Sequence, residues 1–150
     1  MPTFRATTTI DRPPAEVWAV VTDYGRDPEW RKGVETMAPS TQGPAVVGTT
    51  TDEVLHLGGR TYRNHGHVTH VEPGRRLEWR TLEGADANGS RTVTPTPDGG
   101  SEVELVLEVR THGLERLLQP VLVPMLRKGL HQDLARLVAL LERTSELAAR

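Results

Sequence analysis

Polar and apolar residues alternate from Thr3 to Ile10, with Phe4, Ala6, Thr8 and Ile10 on one side and Arg5, Thr7 and Thr9 on the other. The period of two and the β-favouring threonines predict a strand with one buried face. Asp11-Arg12-Pro13-Pro14 reads as a helix start, with Asp11 as the N-cap and proline in the first turn, where its missing N–H costs nothing. Val17, Trp18, Val20 and Val21 then give the stripe of a short amphipathic helix that ends at Tyr24-Gly25. Asp27-Pro28-Glu29-Trp30 repeats the start signal and predicts one more helical turn.

From Val34 to Thr111 the pattern is strand, turn, strand. Turns are predicted at Gly58-Gly59, Pro73-Gly74, Asn88-Gly89 and Pro97-Asp98-Gly99-Gly100. Val103, Leu105, Leu107 and Val109 alternate with Glu102, Glu104 and Glu108 in the clearest strand of the chain. Short turns between successive strands are the signature of an antiparallel meander, and glutamates on the outer face discourage edge pairing.

Beyond about Gly113 the period becomes 3.6. Leu114, Leu117, Leu118, Val121, Met125, Leu130, Leu134, Leu137, Val138 and Leu141 form one side, and Arg127, Lys128, Gln132, Asp133, Arg136, Glu142 and Arg143 fill the other. Pro120 and Pro124 predict a kink or a break. The helix after Pro124 would run about 37 Å, long enough to lie across the sheet. One helix about 10 Å wide cannot fill the concavity of a twisted six- or seven-stranded sheet. A cavity between helix and sheet follows. At about 24 cal/mol per Å³, an empty apolar void of about 300 Å³ would cost on the order of 7 kcal/mol, comparable with the stability of a whole domain. Such a space should therefore hold a ligand, water on polar groups, or side chains swung inward.

Composition narrows the functions. The chain has 150 residues, with 18 Lys+Arg against 20 Asp+Glu and a formal charge of −2. This length suits one domain over residues 1–150, and the near-neutral balance argues against binding a phosphate backbone. No cysteine is present, which removes disulfides, thiolate nucleophiles and most structural zinc sites. No apolar run approaches the ~20 residues of a membrane span, and Met1 to Arg5 has no signal-peptide core, so a cytoplasmic monomer or weak homodimer is expected.

The order strand, two short helices, long meander, long C-terminal helix resembles the helix-grip fold of the START-like (SRPBCC) superfamily. More narrowly, it is similar to the polyketide cyclase/dehydrase-type lipid-transport proteins. Carrying the match are Ile10-Asp11-Arg12-Pro13-Pro14-Ala15-Glu16-Val17-Trp18, Thr22-Asp23-Tyr24, Pro28-Glu29-Trp30 and Val47-Gly48-Thr49. Val68 to Pro73, Leu77-Glu78-Trp79 and Leu134-Ala135-Arg136-Leu137 complete it. The resemblance covers nearly the whole chain and implies an α+β fold with a hydrophobic-ligand pocket, used for binding or for cyclising polyketides.

Candidate ligand-binding residues are Trp30, Tyr62, Asn64, Trp79, Thr81, Leu105 and Leu107 on the sheet side, with Leu118, Val121 and Met125 from the helix. Large aromatics with a polar handle suit a wall that stacks a flat ligand and hydrogen-bonds it, although each has an alternative role in plain core packing. A cyclase must remove an α-proton and stabilise enolate and alkoxide oxygens, chemistry open to Glu53, Tyr62, His65, Arg80 and Arg91 if they converge on one pocket. Arg31 and Arg127 join them as charged residues of interest. All five charged candidates (Glu53, Arg80, Arg91, Arg31, Arg127) have surface-exposed readings. His65 and His67 share a face and could begin a metal site only with a ligand such as His56 or Glu53, so no metal and no cofactor are expected. No phosphate loop or nucleophile elbow occurs. Three functions follow in order: binding of a small hydrophobic or aromatic molecule, polyketide aromatase/cyclase, and a non-catalytic interaction protein using the outer sheet face.

Overall fold

The computed structural model describes residues 2–148, and the side chains of all of these except 114, 115 and 145–148. The elements are β1 (Thr3–Ile10), α1 (Pro14–Val21), a 3₁₀ turn (Tyr24–Arg26), α2 (Asp27–Trp30), β2 (Val34–Pro39), β3 (Thr50–Leu57) and β4 (Arg60–Glu72). They continue with β5 (Arg76–Glu83), β6 (Asp86–Pro95), β7 (Ser101–Arg110), a 3₁₀ segment (Gly113–Leu118) and α3 (Gln119–Ala148). The seven strands form one antiparallel sheet in the order β1-β7-β6-β5-β4-β3-β2. Curved around the long terminal helix, it is the helix-grip architecture.

Register decides what faces inward. Glu53 lies opposite Asn64 and Leu55 opposite Tyr62, so β3 and β4 present these residues on one face. Between β4 and β5 the register shifts twice. At the second shift Val68 pairs with Trp79 and His70 with Glu78, which leaves Thr69 as an extra residue on β4. Thr69 and His70 are both exposed, while Val68 is buried and Val71 packs against the core. A bulge of this kind exchanges the inward and outward sets of one strand, and no residue-type pattern marks it in advance.

Several local expectations need correcting. Asp11 does not cap α1: Pro13 occupies the N-cap position, without a side-chain cap bond. Asn88-Gly89 is not a hairpin turn, because both lie inside β6, opposite Arg80 and Trp79. The β5–β6 reversal falls at Gly84 instead, whose φ of +95° is open to glycine and strained for other residues. Gly89 is required for a different reason: a Cβ there would collide with the Val106 carbonyl oxygen and lie 2.8 Å from the Trp79 ring. Pro120 and Pro124 do not break α3, which is continuous from Gln119. Pro120 sits in its first turn, where proline is tolerated.

The two halves of α3 do different work. Leu134, Leu137, Leu140 and Leu141 are buried with Ala6, Ile10, Val17, Val21, Val93 and Val103 in the main core. The preceding turns, from Leu122 to Asp133, face a cavity.

Candidate functional site

A cavity of about 600 Å³ lies between the first half of α3 and the concave face of the sheet. Leu55, Trp79, Leu105, Leu107, Leu122, Met125, Leu126 and Leu130 make much of its wall apolar. Polar groups enter from Arg31, Glu53, Asn64, Arg91 and Asp133.

These polar side chains form a connected chain. Asp27 is fully buried at the start of α2, and its carboxylate accepts from Arg91 Nη1 at 2.9 Å and Nη2 at 2.7 Å. Arg91 also donates to the Val21 carbonyl at 2.9 Å and stacks over Tyr24 and Trp30, 4.4 and 5.2 Å from their ring centroids. Arg31 Nη1 bridges Asp27 Oδ2 at 3.0 Å and Glu53 Oε2 at 2.8 Å. Asn64 Nδ2 donates to Glu53 Oε1 at 2.9 Å, and its Oδ1 accepts from the Ala85 N–H at 2.9 Å. Two guanidinium groups thus meet two carboxylates, so the buried charge is balanced.

Burial and charge shift several groups. Burial, the largest influence, pushes the Tyr24 phenol up to about 12, with Asp27 adding to it and Arg91 opposing. For Arg31, burial works against the cation, but attraction to Glu53 and Asp27 and the hydrogen bond to Asp27 outweigh it, so its pKa rises. Burial also raises Asp133, offset in part by the hydrogen bond that its Oδ1 accepts from the Lys32 N–H at 3.1 Å and by the charge of Arg31. Tyr24 Oη, Trp30 Nε1 and His67 Nε2 are buried without a hydrogen-bond partner among the described residues.

Of the residues singled out in the sequence, Trp30, Tyr62, Asn64, Trp79, Thr81, Leu105, Leu107 and Met125 line the cavity, as do Glu53 and Arg91. The Thr81 hydroxyl is already engaged with both backbone groups of Ala87. His65 and Arg80 do not line it: His65 pairs with Asp52 at 2.8 Å, and Arg80 is exposed. Leu118 and Val121 also miss it, at 43% and 64% exposure. The lining face of α3 centres on Leu122, Leu126, Gly129 and Asp133, and Val121 lies about 100° round the helix from Leu122. The Leu114 side chain lies outside the described residues.

The surface reading fails for Arg91 and for Glu53, whose side chain is 11% exposed, while Arg127 does lie on the surface. Arg31 is largely buried too, with 22% of its side chain exposed. Asp27 and Asp133 were missed altogether. Asp27 looked like a helix cap and Asp133 like part of a solvated helix face, and only the tertiary arrangement sets them against arginines. Among the described residues, no three or more His, Asp or Glu are grouped to hold a metal. No helix is long and apolar enough to cross a membrane among those residues.

The family described as "Polyketide cyclase / dehydrase and lipid transport" matches residues 1–142. The chain belongs to this family. Among solved structures, the Zhui aromatase/cyclase from Streptomyces sp. R1128 is similar, with a TM-score of 0.80 and 14% identity over 95% of this chain and 94% of that one. TTHA0849 from Thermus thermophilus matches with a TM-score of 0.78 and 20% identity, covering 92% of this chain and 95% of that one. DynU16, from the dynemicin biosynthetic locus, matches with a TM-score of 0.63 and 24% identity, over 93% of this chain and 47% of that one. At such identities these likenesses speak to the fold. Among curated proteins, none matches.

Proposed function

We propose that residues 1–150 form one helix-grip domain that binds a small, mostly apolar molecule, lipid- or polyketide-like, in the cavity between sheet and α3. The observation that carries this reading is an apolar cavity of about 600 Å³ with a charge-balanced polar strip along one wall. Apolar walls reward a ligand that displaces water, and a few fixed polar groups orient it. Glu53 is held between Arg31 and Asn64, and its carboxylate keeps further lone pairs that suit a ligand hydroxyl. The protein then works in the cytoplasm as a monomer or weak homodimer, without a cofactor.

Gly129 provides the test. It faces the cavity from α3, and a Cβ there meets nothing within 4 Å. Gly129→Leu should narrow the cavity while removing a helix-interior glycine that costs about 0.5–1 kcal/mol of stability. We expect aromatic and lipid-like probes to raise the melting midpoint of the parent chain, and to raise that of Gly129→Leu less. Native mass spectrometry should show a small molecule retained by the parent chain. A flat response of the parent across such a panel would overturn the reading.

A second reading, polyketide aromatase/cyclase, is favoured by the convergence of Glu53, Tyr62 and Arg91 on the cavity and by the activity named for the Streptomyces neighbour. In this chemistry the Glu53 carboxylate takes a proton from the carbon between two carbonyls. The enolate carbon then attacks a second carbonyl, and the resulting alkoxide is protonated before water leaves. Glu53→Gln should retain binding and abolish formation of the aromatic chromophore from a poly-β-ketone. Equal turnover by the two chains would remove the carboxylate from the reaction.

A further inference from the structure

The outer side of the segment that closes over the cavity carries a feature that ligand binding does not use. Leu117, Leu118 and Val121 are 76%, 43% and 64% exposed, three of the six large hydrophobic residues exposed among the described ones. They stand at the cavity rim, because Thr111 on one side of them and Leu122 on the other both line it. Between Leu118 and Val121, Gln119 Nε2 donates to Thr111 Oγ1 at 2.7 Å.

The same segment is basic on both sides of these residues, at Arg116 before them and at Arg127, Lys128 and His131 after them. Arg116, Arg127, Lys128 and His131 are all exposed, and residues 116–131 contain no Asp or Glu in a chain whose overall charge is −2. Arg127 and Lys128 form no ion pair among the described residues. Lys128 is seven residues after Val121, so it shares that face about 10 Å further along the axis. Arg127 follows Val121 by six residues and stands about 120° round the helix from it.

We propose that this rim docks on an anionic lipid surface, with Leu117, Leu118 and Val121 entering the acyl boundary and Arg127 and Lys128 meeting the headgroups. The combination of apolar and cationic residues carries the choice, since such segments enter a lipid interface by their apolar side chains while Lys and Arg meet anionic headgroups. A second copy fits less well, because in a contact through residues 116–131 neither copy offers an Asp or Glu to the other's Arg127 and Lys128. Docking here sets the segment that covers the cavity against the bilayer. None of the five residues lines the cavity, so the surface can be altered without touching the proposed ligand site.

The test is co-sedimentation of the full chain with vesicles of phosphatidylcholine alone and of phosphatidylcholine mixed with phosphatidylglycerol. Binding to the anionic vesicles only, released by high salt, is expected. R127Q/K128Q should weaken it by about 30-fold and L117S/V121S by about tenfold or more, with unchanged melting midpoints because all four side chains are exposed. Equal binding to both vesicle types, or binding insensitive to R127Q/K128Q, overturns the proposal. So does a parent chain that stays in the supernatant with both, whether the patch then pairs with a second copy in sedimentation equilibrium or takes up an acidic soluble protein.

Discussion

Asp27 and Arg91, 64 residues apart in the chain, share two hydrogen bonds of 2.9 and 2.7 Å in a region closed to solvent. The pair ties the start of α2 to the middle of β6, and through Arg31 it fixes Glu53 on the cavity wall. Removing one partner strands the other's charge. Asp27→Ala should therefore cost about 3–5 kcal/mol in urea denaturation, whereas replacing both residues with apolar side chains of similar volume should cost much less. A single-variant loss below about 1 kcal/mol would mean that water reaches Arg91.

Gly89 and Trp79 make a steric prediction. With the Val106 carbonyl in collision with a Cβ at position 89 and the Trp79 ring 2.8 Å from it, Gly89→Ala must push β6 from β7 or evict the indole. A loss of about 3 kcal/mol or more is expected, with a changed tryptophan emission as Trp79 leaves the cavity wall. Gly129→Ala is the matched control: it adds the same methyl in open space and should stabilise the chain.

Tyr24 separates packing from hydrogen bonding. Its ring lies against the Arg91 guanidinium, but its hydroxyl is buried with no partner among the described residues. Tyr24→Phe keeps the cation–π contact and removes an unsatisfied polar atom, so stability should stay level or rise by about 1 kcal/mol. In the parent chain the phenol should ionise near 12 in an ultraviolet titration. A loss of ligand affinity in Tyr24→Phe without loss of stability would instead give the hydroxyl a role in binding.

The sequence made the architecture readable because local signals agreed. Ser101 to Arg110 alternates almost without interruption and is β7 to the residue, and Gly58-Gly59 turns where expected. Asn88-Gly89 misled because a strong hairpin dipeptide also serves as a flat place for an indole to lie. The polar strip was illegible for another reason. Arginine and aspartate on strands and helices are usually solvated, and nothing local distinguishes Arg91 from Arg80; strand parity and the opposing Asp27 make that difference. Val121 failed through a single-residue error in helical phase, which moves a side chain from the cavity to solvent.

Asp133 gives a pH dependence with a definite sign. Its carboxyl faces Arg31 and Arg136 and accepts from the Lys32 N–H, yet burial outweighs these and holds its pKa above the ordinary value. The native state thus binds this proton more tightly than the unfolded chain does. Its contribution is fully present below the unfolded carboxylate pKa of about 3.9 and is lost as pH rises through the higher native value. Asp133→Asn keeps an oxygen for Lys32 and carries no charge to desolvate. Its stability relative to the parent should therefore increase from about pH 4 to about pH 7, by an amount that thermal denaturation at the two pH values measures. A difference that is constant with pH, or one that shrinks, would mean that Arg31 and Arg136 hold the charged form more strongly than burial opposes it.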